Sequence, residues 1–141
     1  MATLIFLKLI TFTDGGSRGN PGPSAAGVVV KNEHQEVVAA FGKYLGTQTN
    51  NFAEYTALIL ALEKALELGA TEVDCILDSE LAVKQMRREY RVKEPTLQKL
   101  WLAAYNLSTK FKKVTYRHTL RAGNKEADAE VNKILDAAVK R

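Results

Sequence analysis

The feature that most constrains the fold is a change of hydrophobic period near residue 50. Before it, apolar residues come in short β-branched runs broken by turn formers. After Asn51 they fall at 55, 58, 59, 62, 65 and 66, the i, i+3, i+4, i+7 spacing of an amphipathic helix that Gly69 can close. Leu4 to Thr13 predicts a strand, and Asp14 to Pro23 is a run of turn chemistry. Ala25–Lys31 and Val37–Leu45 predict two more strands, divided by the polar turn Asn32-Glu33-His34-Gln35. Downstream, Val73–Leu77 predicts a short buried strand, Ser79 to about Arg88 a helix, and Thr96–Leu107 another after Pro95. Lys113–His118 reads as a strand of alternating faces, and about Lys125 to Val139 as a last helix. The order βββαβααβα implies an α/β architecture: a mixed five-stranded sheet, three antiparallel strands then strands reached through helices, with helices on its faces.

At 141 residues the chain is long enough for one real core and short for two. With no repeat or linker, a single domain is expected over residues 1–141. Hydrophobic residues at 46% and charged residues at 26% exclude disordered and low-complexity classes. Cys75 is the only cysteine, which excludes an internal disulfide and a cysteine-based zinc site; its apolar flanks mark a buried side chain in a reducing, cytoplasmic setting. The apolar start Leu4-Ile5-Phe6-Leu7 is interrupted by Lys8 and lacks the flanks of a signal peptide, so it reads as strand. No stretch approaches the ~20 apolar residues of a membrane helix, and no membrane partner is expected.

The net charge of +4 hides an asymmetry. Residues 82–93 hold Lys84, Arg87, Arg88, Arg91 and Lys93 against Glu89, and residues 110–125 hold Lys110, Lys112, Lys113, Arg117, Arg121 and Lys125 with no acid, leaving the remainder net acidic. Two basic segments on an acidic domain suit a polyanion-binding face, although a solvated surface has the same composition.

Four acids stand at passages between elements. Each has a local explanation: Asp14 as an Asp-Gly turn former, Glu54 closing an Asn51-Phe52-Ala53-Glu54 capping box, Asp78 as a helix N-cap, and Asp128 favouring the start of the last helix. Together they say more, because strand ends and neighbouring helix starts of an open α/β sheet share one crevice. If the strands ending at Asp14 and Asp78 are parallel neighbours, their carboxylates converge, and Glu54 and Asp128 border the same place. Such a set repels itself unless a cation is shared; oxygen donors point to Mg²⁺, or Mn²⁺ as a substitute. A pair of ions ~3.5–4 Å apart would serve in-line displacement at a phosphodiester.

The residues that carry this pattern resemble the type 1 ribonucleases H. Thr13-Asp14-Gly15-Gly16-Ser17-Arg18-Gly19-Asn20-Pro21-Gly22-Pro23 is similar to the family's first motif, and Thr49-Asn50-Asn51-Phe52-Ala53-Glu54-Tyr55 to its second. Asp78-Ser79 with Lys84-Gln85-Met86 is similar to the third, and Asn124-Lys125-Glu126-Ala127-Asp128 to the fourth. The resemblance spans nearly the whole chain in order. It implies hydrolysis of the RNA strand of an RNA/DNA hybrid with two Mg²⁺ ions, leaving 5′-phosphate and 3′-hydroxyl ends, by a protein expected to be a monomer. Asp14, Glu54, Asp78 and Asp128 would be the metal-binding and catalytic quartet. Gly15, Ser17, Asn20 and Asn50 would contact the RNA strand, and Thr49 a DNA phosphate.

Two departures matter. Many bacterial members carry a histidine ahead of the last aspartate, as His118 stands here, whereas a compact archaeal-type subgroup carries an arginine seven before it, as Arg121 does; Arg121 is the favoured auxiliary cation. The stretch from Ser79 to Leu107 also lacks the lysine-rich basic protrusion of other members. Arg88, Tyr90 and Arg91 would replace part of that handle, Tyr90 either stacking on a sugar or base or packing beneath a loop. The alternatives are an inactive nucleic-acid-binding module of the same fold, and a nuclease that also cuts double-stranded RNA or, as a dimer, DNA junctions. The intact carboxylates speak against the inactive module, because a binder gains nothing from concentrating negative charge beside phosphates.

Overall fold

A computed structural model describes residues 7–139. The sheet is built from β1 (Lys8–Ser17), β2 (Gly22–Lys31), β3 (Val37–Gln48), β4 (Glu72–Leu77) and β5 (Lys113–His118), in the order β3-β2-β1-β4-β5. β1 to β3 pair antiparallel, while β4 runs parallel to β1 and to β5. Helices α1 (Asn50–Glu67), α2 (Glu80–Met86), α3 (Pro95–Ser108) and α4 (Lys125–Val139) complete the order expected from the periodicity, with one 3-10 turn, Arg121–Asn124, ahead of α4.

The apolar stripe of α1 explains its place. Leu58, Leu62 and Ala65 are fully buried against Val28 and Val30 of β2 and Val73, Cys75 and Leu77 of β4. Each buried leucine contributes about 1.5–3 kcal/mol relative to exposure. Cys75 belongs to this core, where burial pushes its thiol up to about 12. On the opposite sheet face α4 lays Val131 and Leu135 over Ala25. It can come that close because Gly27 has no side chain: a Cβ there would lie 2.4 Å from the Ala127 carbonyl oxygen.

Several boundaries differ from the sequence expectation. The residues from Asp14 to Ser17, taken for turn, continue β1 and pair with Gly27, Ala26, Ala25 and Ser24 of β2, and β2 begins at Gly22. The glycines there answer close packing rather than chain reversal. α1 is capped by the Thr49 side chain, which accepts the Phe52 N–H, so Asn51 is already helical and the capping box is absent. Ser79, not Asp78, caps α2, which ends at Met86 because Arg88 adopts a φ of 63°. The predicted strand residues Leu4, Ile5 and Phe6 lie outside the described residues. Among the described residues, no helix is long and apolar enough to cross a membrane.

Candidate active site

The last parallel pair between β1 and β4 is Thr13 with Leu77. Asp14 and Asp78 are therefore the next residues on adjacent strands, and their side chains emerge together where the parallel pairing stops. Glu54 comes from the second turn of α1, which docks on β1 because Gly15 admits it: a Cβ on Gly15 would lie 2.2 Å from the Glu54 backbone nitrogen. Asp14, Glu54 and Asp78 each offer an oxygen, all within 4.8 Å of one another. Asp128, in the first turn of α4, stands outside that group but close enough to Asp14 to raise its carboxyl. Its own oxygens meet the Asn132 amide at 3.3 Å and the Arg121 guanidinium at 3.6 Å.

The electrostatics follow from burial and crowding. Burial pushes the Asp14 carboxyl up to about 8, helped by the charge of Asp78, then by the hydrogen bond and charge of Asp128, and opposed by Arg121. Glu54 is held well above the usual carboxylate range, first by burial and then by the charges of Asp78 and Asp14, while the Gly15 N–H favours its ionised form. Asp78 is raised by burial against a hydrogen bond from Asn124 and the charge of Arg121. Glu54 Oε2 is buried with no hydrogen-bond partner. An orphaned carboxylate oxygen facing two more carboxylates is a hard-donor set that fits a divalent cation such as Mg²⁺ or Mn²⁺.

A cleft of about 550 Å³ opens on these groups, lined also by Gly15, Gly16, Ser17, Arg18, Asn50, Ser79, Arg121, Asn132 and Leu135. Arg121 is thus in the site. His118 pairs with Leu77 at the end of β5, is exposed, and is absent from the cleft lining. Sequence reasoning missed two residues. Asn124, 2% exposed, donates from its amide to the Thr13 carbonyl at 2.7 Å and so pins the strand just before Asp14. Arg18 lines the cleft from the loop that follows β1. A lone Asn ahead of a helix and a lone Arg among glycines carry no periodic signal.

The other contact candidates fall in two places. Asn20, Asn50 and Ser17 form one latch, and Thr49 caps α1 beside it. The Asn20 Oδ1 accepts the Asn50 N–H at 3.0 Å, the Asn50 Oδ1 accepts the Ser17 N–H at 2.8 Å, and Ser17 Oγ donates to the Gln48 carbonyl at 2.8 Å. The Asn20 and Asn50 amide nitrogens take no part in it. Arg88, Tyr90 and Arg91 line a separate groove of about 500 Å³ with Val92, Gln98 and Trp101. There Arg88 stacks 4.7 Å over the Tyr105 ring, while Tyr90 is exposed with Lys84 5.0 Å above its ring.

Comparisons with known proteins agree with this geometry. A family profile described as "Reverse transcriptase-like" matches residues 12–134. The chain is 41% identical over 131 residues to "Ribonuclease HI" of Halobacterium salinarum, covering 93% of this chain and 66% of that protein. It is 44% identical over 133 residues to "Bifunctional protein Rv2228c" of Mycobacterium tuberculosis, covering 94% of this chain but 36% of the relative, so it spans only about a third of that protein's length. Among solved structures, LC11-RNase H1 in complex with RNA/DNA hybrid superposes with a TM-score of 0.89 at 40% identity, over 93% of this chain and 99% of that one.

Proposed function

We propose, from the premise that the chain belongs to the type 1 ribonuclease H family, that it hydrolyses the RNA strand of RNA/DNA hybrids with two divalent metal ions, leaving 5′-phosphate and 3′-hydroxyl ends. The observation that carries the reading is the convergence of Asp14, Glu54 and Asp78 around the unpartnered Glu54 Oε2. With Asp128 beside Asp14, these carboxylates would hold the ions. Bound there, Mg²⁺ would lower the pKa of an attacking water and stabilise charge on the departing 3′-oxygen.

The chain's own groups supply the rest. Asn124 pins the strand just before Asp14, and Asn124 and the Gly15 N–H favour the ionised forms of Asp78 and Glu54, which prepares the carboxylates to receive cations. Arg121, permanently charged, cannot relay protons and serves as electrostatic support for phosphate or leaving group. The free amide nitrogens of Asn20 and Asn50 are donors for RNA 2′-hydroxyls, the group that distinguishes RNA from DNA. Thr49, at the N-terminus of α1, sits where backbone amides and helix dipole favour a DNA phosphate. Arg88, Tyr90 and Arg91 offer charge and an aromatic face for the duplex beyond the cleft.

The test is cleavage of one end-labelled sequence prepared as RNA/DNA, RNA/RNA, DNA/DNA and single-stranded RNA, with Mg²⁺, Mn²⁺ or EDTA, wild type beside Asp14→Asn. Cutting of RNA in the hybrid, dependent on metal and lost in the variant, is the expected result, and the RNA/RNA lane sets the breadth of specificity. A hybrid bound but uncut with either metal would overturn the reading.

A further inference from the structure

The cleft is lined by two guanidiniums, and they are used differently. Arg121, itself largely exposed, stands 3.6 Å from Asp128 beside the carboxylates, whereas Arg18 reaches along α4, its Nη2 2.6 Å from Asp136 Oδ1 near the far end of that helix. The backbone that carries Arg18 is fixed. Its N–H donates to the Pro23 carbonyl at 2.9 Å, and the turn is so tight that a Cβ on Gly22 would lie 2.2 Å from the Arg18 carbonyl oxygen. The side chain is not fixed in the same way: among the described residues it makes a single ion-pair contact, and the two partners are 40% and 60% exposed.

An exposed pair of this kind is weak and screened by salt. A phosphodiester offers the guanidinium fork two oxygens in place of one, and a cleft already crowded with carboxylates repels the polyanion it must admit. Asp128, Asn132, Leu135 and Asp136 follow one face of α4 at i, i+4, i+7 and i+8, which places Asp136 about 12 Å along the helix from Asp128. With one charge per ~3.4 Å of duplex axis on each strand, that is the distance of a phosphate roughly three or four nucleotides away.

We propose that Arg18 grips a backbone phosphate of the bound duplex a few nucleotides from the scissile bond, and that Asp136 parks its guanidinium at the cleft rim until the phosphate displaces it. The proposal rests on the ribonuclease H reading above, and its test separates the two. Binding of a fluorescein-labelled RNA/DNA hybrid is followed by anisotropy in EDTA over a range of salt, and cleavage in Mg²⁺ is followed separately, for wild type, Arg18→Ala, Arg18→Lys and Asp136→Asn.

Arg18→Ala is expected to weaken binding and raise KM about 5- to 20-fold with kcat within about twofold, and to lower the slope of log Kd against log salt by about one. Arg18→Lys should recover part of the loss. Asp136→Asn, which breaks the same ion pair, is expected to tighten binding about two- to threefold, since it removes the competitor. A merely structural pair would make both variants fail alike. That outcome, or an Arg18→Ala protein that binds as wild type, overturns the proposal. If the wild type binds but does not cleave, the activity reading fails while the EDTA titration still decides the role of Arg18; if it does not bind the hybrid, both fail.

Discussion

Gly15 passes so close beneath α1 that its missing Cβ would lie 2.2 Å from the backbone nitrogen of Glu54, and its N–H favours the ionised form of the Glu54 carboxyl. One residue thus bears both on the approach of the helix and on the charge of a metal-ligand candidate. Gly15→Ala forces backbone against backbone, where no rotamer gives relief. We expect a loss of about 3 kcal/mol or more, at or beyond the upper end of overpacking costs, and at least a hundredfold loss of kcat. Urea unfolding and single-turnover cleavage read the two effects; a stable, active alanine variant would mean that α1 has room to shift.

Asp14→Asn removes a charge that the metal-free fold holds at a cost. The Asp14 carboxyl titrates near 8 rather than 3.8, so between those values the folded state holds a proton the unfolded state has released. Stability of the protein in EDTA is therefore expected to be highest below about pH 4 on this account and to fall as pH rises toward 8. The asparagine variant should flatten that slope, be at least as stable as wild type at pH 8 without metal, and lose cleavage entirely. Thermal melts in EDTA from pH 5 to 8.5 check the sign; a wild-type curve that rises with pH would contradict it.

How much of this was legible beforehand depended on whether a feature repeats. The α1 stripe, the buried run Val73–Leu77 and the alternation of β5 are periodic, and each appears where it was read. The convergence of Asp14 with Asp78 followed from parallel strands ending side by side. What could not be read were single-residue causes of close approach. The glycines at 15 and 16 have the composition of a turn but lie within a paired strand, because Gly15 avoids a collision with α1 and Gly16 faces Val131 of α4, both far along the chain. Thr49 and Ser79 displaced Asn51 and Asp78 as helix caps, since all four are chemically able to cap and only the path of the chain chooses among them. Asn124 and Arg18 act across more than a hundred residues, a separation at which a sequence gives no signal.

Arg121 and His118 are separated by position rather than by chemistry. Arg121 lines the cleft 3.6 Å from Asp128, whereas His118, at the end of β5, is outside that lining. Arg121→Ala is expected to lower kcat about 100-fold, the lower end of the cost of removing one electrostatic contact to a developing charge. His118→Ala should stay within about threefold, with no change in the alkaline limb of the pH–rate profile, as expected of a side chain outside the cleft lining. Steady-state kinetics on a hybrid with both variants gives the ranking, and its reversal would return the auxiliary role to the histidine.

Asp74 supplies the control that distinguishes loss of fold from loss of site. It lies on β4 facing away from the core, takes the Thr115 hydroxyl at 2.8 Å, and receives the Arg117 guanidinium on both oxygens, at 2.6 Å on Oδ2 from Nη2. Burial would raise its carboxyl, but these hydrogen bonds and the charge of Arg117 win and hold it below the ordinary 3.8. The folded state therefore favours the ionised form, and the stability this contributes is present above the unfolded value and lost as pH falls through the folded one. Asp74→Asn keeps the shape and removes the charge. With Arg117 more than half exposed and screened by solvent, the expected cost at pH 7 is about 1 kcal/mol. The two proteins should converge in stability at strongly acidic pH, and kcat/KM should stay within about twofold of wild type, since neither Asp74 nor Arg117 lines the cleft. A large loss of activity at unchanged stability would show that the outer edge of the sheet takes part in substrate binding, which urea titrations paired with cleavage assays would reveal directly.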